Sequence, residues 1–245
     1  MADHPGKSIL IVGGGVVGLY SAYYAARKGH RVTVIERGSP AHDCCSAGNA
    51  GLVVPSHFIP LAAPGMVSMG LRMMWNPESP FYFKPRLSWD LMKWAWRFAR
   101  SSTLAHVQRS APLLRDLNLA SRRAFEEMAS EHGNEFGLVQ KGLMLLCRTK
   151  HALAEEAAMA VRGRKLGLAA EILTPEEAAK RQPGLGMDIA GAVYFPDDCH
   201  LIPDRLLAGL TRSLEKLGVT FHWSTPVTGW VPGHGSVQAA RTPAG

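Results

Sequence analysis

Gly13, Gly15 and Gly18 in the run Ile9-Leu10-Ile11-Val12-Gly13-Gly14-Gly15-Val16-Val17-Gly18, followed eighteen residues later by Glu36, have the spacing that holds an ADP-containing dinucleotide. Gly13 permits a tight turn after a buried strand, Gly15 lets the backbone approach a pyrophosphate, and Gly18 lets the next helix lie close to the sheet. Val16 and Val17 open that helix, so their amides lie at its positive end, where phosphates bind. Glu36 closes the strand Val32-Thr33-Val34-Ile35. There its carboxylate can accept hydrogen bonds from both ribose hydroxyls and would repel a 2'-phosphate, which disfavours NADP.

Such a constellation works only if the flanking elements place it. An apolar strand leads directly into the turn, a helix is expected over 17–28 with Gly29 as its C-terminal stop, and a β-branched strand returns with the acid. After Glu36-Arg37, Gly38-Ser39-Pro40 breaks the sheet, and the small residues of 45–51 (Cys-Ser-Ala-Gly-Asn-Ala-Gly) would let backbone come close to a flat ligand. Broken segments are expected from Trp75 to Arg86, around Pro77, Pro80 and Pro85. Helices are expected at 87–100, 112–132, 151–166, 175–182 and 203–217, and strands at 142–147, 190–195 and 219–223, with a weaker hairpin through Gly233-His234-Gly235. The strand at 219–223 reads as the third parallel strand of the first sheet. The fold class is therefore α/β: a discontinuous, Rossmann-like βαβ nucleotide-binding domain at 1–60 and 204–245, with an inserted α+β substrate or cap region at 61–203.

Composition narrows the setting. The chain has 245 residues, 47% hydrophobic and 19% charged, which suits a folded chain rather than a disordered one. The net charge is +7, but the cations are scattered and form no nucleic-acid motif, so no nucleic-acid partner is expected. A secretory leader is not read at the N-terminus, since glycines 13, 14, 15 and 18 interrupt the apolar stretch and no cleavage site follows; a cytoplasmic chain is expected. Cys44, Cys45, Cys147 and Cys199 lack metal-ligand spacing and read as reduced thiols, His200 reads as a turn histidine, and no metal is expected. Between Met66 and Arg100, Trp, Phe and Met residues alternate with Arg and Lys. Both buried packing and a membrane-surface face remain open there.

Beyond the glycine motif and Glu36-Arg37, the chain carries Ser46-x-x-Asn49-Ala50-Gly51, Ala62-Ala63-Pro64-Gly65, Lys93-Trp94-x-Trp96 and Tyr194-x-Pro196-Asp197-Asp198. Together these resemble the FAD-dependent D-amino-acid oxidase superfamily over nearly the whole chain, and most of all its D-amino-acid dehydrogenase small-subunit branch. The resemblance implies FAD as cofactor, Glu36 on the adenosine ribose, and Ser46, Asn49, Ala50 and Gly51 along the path from pyrophosphate to isoalloxazine. It also implies a backbone contact of Val227 with adenine. It implies hydride transfer from a small amino acid, a D-amino acid above all, to the flavin, with release of the 2-oxo acid and ammonia, and quinone or oxygen as electron acceptor. No catalytic residue is identified, because the family's carboxylate-binding arginine is expected beyond residue 245. Family members also continue with a further strand and a late glycine-rich segment. The expectation is therefore a truncated chain that binds FAD poorly alone, with an unpaired flank on Ile9 to Val12. The alternative is a split-gene FAD-binding subunit, completed by a second subunit or the missing C-terminal half, or a remnant without activity of its own. The branch further implies peripheral contact with the inner membrane.

Overall fold

A computed structural model describes residues 6–41, 44–74, 76, 78–79 and 88–243. In chain order these form β1 (Ser8–Val12), α1 (Val16–Arg27), β2 (Arg31–Ile35), β3 (Leu52–Val53), α2 (Met66–Met73), α3 (Trp89–Ser101), α4 (Leu104–Glu131) and β4 (Leu143–Cys147). They continue with α5 (Lys150–Lys165), β5 (Glu171–Leu173), α6 (Pro175–Arg181), β6 (Gly191–Phe195), β7 (Cys199–His200), α7 (Pro203–Lys216), β8 (Thr220–His222), β9 (Gly229–Pro232) and β10 (Val237–Arg241). The broken segment expected at Trp75 to Arg86 lies outside the described residues apart from Asn76, Glu78 and Ser79, as does Leu87.

Two compact units result, one made of Met1–Leu52, Met128–Val139 and His200–Gly245, the other of Val53–Glu127 and Gln140–Cys199. These limits differ from the expected 1–60, 61–203 and 204–245. The first interruption begins at Val53 and ends at Cys199, and residues 128–139 fall in the first unit rather than in the insertion.

In the first unit, the β-branched run of β2 occupies the centre of a parallel sheet ordered β1-β2-β8. Ile9 pairs with Val32 and Ile11 with Val34 on one flank, and Val34 pairs with Phe221 on the other. Val32, Val34 and Ile35 are buried, as a strand flanked on both sides requires. The third parallel strand is thus where the sequence places it. β1 lies at the sheet edge among the described residues, with Leu10 and Val12 nearly half exposed. The stripe Leu206, Leu210 and Leu214 buries one face of α7, and α7 packs against α1, whose Leu19 and Ala22 are buried. Arg27 at the end of α1 meets Glu131 at 3.0 Å, and the Tyr23 hydroxyl lies 3.1 Å from Glu131 and 3.2 Å from His132 Nε2. The expected hairpin is β9-β10, closed by the Gly233 amide on the Ser236 carbonyl at 2.7 Å.

The second unit is built on an antiparallel sheet ordered β4-β6-β5. Val193 and Phe195 of β6 pack with Ala160 of α5, while Ala192 packs with Leu173 and Ala178. Helix α6 starts in a capping box, Thr174 accepting from the Glu177 amide and Glu177 from the Thr174 amide. The long helix differs from expectation: it starts at Leu104 rather than Pro112 and contains the proline. Thr103 supplies the start signal, its hydroxyl accepting from the His106 amide at 3.2 Å. Pro112 has no N–H to donate to the Gln108 carbonyl, yet the helix continues through it to Glu131. Asp198, at 1% exposure, accepts from the Ser56 amide (3.1 Å) and hydroxyl (2.6 Å). Burial pushes its carboxyl above the ordinary range, opposed by those two bonds and by His57.

Candidate functional site

The glycine turn is fixed by its backbone. Gly13 takes φ +112°, which side-chain-bearing residues rarely adopt, and its amide donates to the Ile35 carbonyl at 2.8 Å, tying the turn to the end of β2. Gly18 lies so close beneath that a Cβ added there would stand 2.0 Å from the Gly13 carbonyl oxygen. Helix and turn are therefore in backbone contact. Gly15 caps α1 with φ −74° and no side-chain hydrogen bond, and no acidic residue lies in the helix's first turn. Gly15 itself thus brings no oxygen to the positive end of α1, and any acceptor there must come from elsewhere in the chain or from a ligand.

Glu36 is the polar centre of this turn. It is buried at 8% exposure, with Oε2 accepting from the Gly14 amide at 2.6 Å and Oε1 from the Gly38 amide at 2.7 Å. Its own amide donates to the His222 carbonyl (2.9 Å), and its carbonyl accepts from the Thr225 amide (2.8 Å), so β8 and the segment after it hold the acid from behind. Two charge-assisted bonds to backbone aim the carboxylate across the turn.

The small-residue segment closes the other side. Ser46 Oγ accepts from the Val16 amide at 3.1 Å and lies 3.2 Å from where a Cβ on Gly15 would stand, so it covers the first free N–H of α1. Asn49 Oδ1 accepts from the Gly51 amide at 2.8 Å, forming an Asx turn, and Gly51 passes so near Leu201 that a Cβ would sit 2.1 Å from its carbonyl oxygen. The structure therefore brings Gly13, Gly15, Val16, Gly18, Glu36 and Ser46 together, with Asn49 and Gly51 shaping the segment that follows. Val17, Arg37 and Ala50 are exposed beside them. Val227 is half-buried two residues beyond Thr225.

Residue-type reasoning overlooked three participants. Gly14 and Gly38 supply the amides that clamp Glu36, and Trp223, stacked on Phe221 at 5.0 Å with planes 1° apart, would contact a Cβ on Gly14 at 3.1 Å. An aromatic just past the third parallel strand was the signal for Trp223, because ligands lie beyond strand carboxyl ends. Among the described residues no group of His, Cys, Asp and Glu could hold a metal ion, and Cys44, Cys45, Cys147 and Cys199 are free thiols.

A parallel βαβ turn with a glycine-capped helix start and a clamped acid at the end of the second strand defines a dinucleotide-binding class of protein that suits the ADP moiety of FAD. The chain matches the DAO family, FAD dependent oxidoreductases, over residues 8–245 and belongs to it. It is 32% identical over 228 residues to a D-amino acid dehydrogenase of Neisseria meningitidis serogroup C, covering 90% of this chain and 53% of that protein. It is 32% identical over 244 residues to D-amino acid dehydrogenase 2 of Mesorhizobium japonicum, covering 97% and 58%. The chain thus spans about half the length of the curated relatives it matches. Among solved structures it resembles glycine oxidase from Geobacillus kaustophilus, with a TM-score of 0.70 at 22% identity over 98% of this chain and 52% of that one. L-amino acid deaminase from Proteus myxofaciens gives a TM-score of 0.66 at 16% identity over 100% and 44%. These two likenesses establish the fold.

Proposed function

We propose that this chain provides the ADP-binding part of an FAD-dependent oxidoreductase that oxidises the CH–NH2 bond of a small amino acid, in particular a D-amino acid, to the 2-oxo acid and ammonia. The observation that carries the cofactor reading is the Glu36 carboxylate, clamped by the Gly14 and Gly38 amides beside the glycine turn that opens α1. Each carboxylate oxygen accepts more than one hydrogen bond, so each can take a ribose hydroxyl beside its amide. The amides after Gly15, with Val16 and Val17 at the start of α1, receive the pyrophosphate. Ser46 moves off the Val16 amide or shares it, and Asn49, Ala50 and Gly51 line the onward path. Arg37 borders the ribose, and Val227 meets adenine through its backbone. Trp223 walls the turn over Gly14.

Bound FAD supplies a two-electron acceptor for the substrate hydride. The substrate class rests on the relatives in Neisseria meningitidis and Mesorhizobium japonicum, both D-amino acid dehydrogenases. Quinone or oxygen then takes the electrons. The test is titration of the purified chain with FAD, followed by D-alanine or L-alanine with either a quinone analogue or oxygen as acceptor. FAD binding with D-alanine-dependent reduction supports the reading. FAD binding without turnover supports the non-catalytic subunit or remnant instead, and FAD binding left undiminished by Glu36→Ala refutes the assignment of the ribose site.

A further inference from the structure

Two neighbouring cavities lie in the first unit, where the end of α4 and the turn after it meet α7. One, of about 230 Å³, has an apolar wall of Met128, Phe136, Leu206 and Leu210, none more than 5% exposed. The other, of about 270 Å³, lies against Tyr23 and Arg27 at the end of α1. His132, Ser213 and Lys216 line both, so these three side chains stand where the two cavities meet. Sites for drug-sized molecules run to roughly 300–1,000 Å³, so each cavity suits a molecule of few heavy atoms.

Two observations set this groove apart from ordinary surface relief. The first is Gly209, in the interior of α7 and on the wall of the smaller cavity. A Cβ added there would meet only Arg212 Nη2, at 4.0 Å, among the described residues. No packing demands glycine at this position, although glycine weakens a helix interior relative to alanine. What the missing side chain provides is room beside the apolar wall. The second observation is the charge balance. Both acids of the groove are engaged, Glu131 by Arg27 at 3.0 Å and Glu135 by Arg212 at 2.6 Å, whereas Lys216 has no ion pair among the described residues. His132 places Nε2 3.2 Å from the Tyr23 hydroxyl, and its Nδ1 has no partner among the described residues. A cation in the last turn complements the helix dipole whatever it faces, but that explains neither the open glycine nor the apolar wall.

We infer that this groove binds a small organic carboxylate with a short apolar tail, the carboxylate on Lys216, Ser213 and His132 and the tail in the space beside Gly209. An ammonium and a hydroxyl both donate to a carboxylate, and bonds of this charge-assisted kind are the strong ones. A cationic ligand would meet Lys216 with both acids already taken, and a bare inorganic anion would leave the apolar wall unused. The groove lies at the Arg27 end of α1, and a helix of 12 residues puts it roughly 18 Å (12 × 1.5) from the glycine turn, so such a ligand does not compete with a dinucleotide there.

The test is titration of the 245-residue chain with butyrate, followed by amide NMR, with n-butylammonium and inorganic phosphate as comparisons. Butyrate should shift the Gly209, Ser213 and Lys216 amides saturably, n-butylammonium should not, and phosphate should bind more weakly than butyrate. Lys216→Gln should weaken butyrate binding about tenfold, the loss of one charge-assisted bond. Gly209→Leu fills the space and should weaken it at least about tenfold, while its thermal midpoint stays at or above that of wild type because leucine favours a helix. Gly209→Ala adds a single methyl and should weaken binding in the same direction, which keeps the test in force if the leucine variant does not fold. Glu215→Gln, in the same turn of α7 but off the cavity walls, should leave the affinity unchanged. Absence of saturable shifts with butyrate, equal shifts with n-butylammonium, tighter binding of phosphate, or unchanged affinity in the Lys216 and Gly209 variants would each overturn the inference. None of these readouts involves flavin, so they stand or fall apart from the cofactor reading.

Discussion

Gly18→Ala and Gly15→Ala change the same atom count three residues apart, yet the two positions should respond oppositely. At Gly18 the new Cβ would stand 2.0 Å from the Gly13 carbonyl oxygen, whereas such contacts do not fall below 3.0 Å, so helix and turn must part by about 1 Å (3.0 − 2.0). Because the obstacle is backbone, no side chain can rotate to relieve it. Overpacking of this kind costs roughly 1–3 kcal/mol or more, against a gain of about 1 kcal/mol in helix propensity for alanine over glycine. Because the 2.0 Å approach is to fixed backbone, the upper end applies, a net loss of about 2 kcal/mol (3 − 1), which lowers Tm by about 4–8 °C in a chain of this size. At Gly15 the only close atom among the described residues is Ser46 Oγ at 3.2 Å, the end of a side chain that can turn away, and φ −74° suits alanine. Its Tm should stay within about 2 °C of wild type. The same Cβ, however, projects onto the start of α1, so FAD should raise the Tm of the wild-type chain but not that of Gly15→Ala. Thermal unfolding with and without FAD reads both effects. An unchanged Tm in Gly18→Ala would refute the backbone contact, and full FAD stabilisation of Gly15→Ala would refute the phosphate path.

Three further outcomes are expected. Glu36→Gln sets an amide NH2 against the Gly14 or Gly38 N–H, leaving one buried donor unpaired, and should lose about 2–3 kcal/mol by denaturant unfolding; an unchanged midpoint would show that the clamp does not hold the turn. Asp198 binds its proton more tightly folded than unfolded, so its charged form weighs against the native state above the raised pKa. Wild type should therefore gain stability relative to Asp198→Asn as pH falls from neutrality toward the ordinary aspartate range, and parallel Tm curves for the two would contradict this. Leu10→Lys places a charge on the exposed edge strand and should reduce self-association in light scattering, whereas equal aggregation would locate the cause elsewhere.

Much of the first unit was legible because its signals are local. Gly13, Gly18 and the β-branched β2 declare turn, close approach and buried strand within a short window, and the leucines of α7 repeat at the helical period. Even the distant β8 could be placed, since Val219 to Trp223 follows a helix as a parallel strand must. What could not be read depends on partners far along the chain. The start of α4 was concealed by Pro112, because proline suits the first turn of a helix and so read as the beginning of one, whereas the cap is Thr103. Residues 128–139 sit in the first unit through contacts such as Arg27 with Glu131, which no periodicity announces. Likewise the acid was evident, but not that glycine amides on both sides would hold it. Whether the tryptophans of α3 were core or surface turned on packing alone, and the exposure of Trp89 and Trp96 decides for surface.

The pairing of β2 with β8 also sets a timetable for biosynthesis. Thr33 finds its neighbour at Thr220, 187 positions later (220 − 33), so a ribosome adding about 5–20 residues each second leaves one flank of the nascent β2 bare for roughly 10–40 s. Through that interval Val34 has only β1 beside it. A translational pause before α7 would prolong the exposure and favour misassembly, while chaperone capture of the emerging amino-terminal segment would shelter it until the late strand arrives.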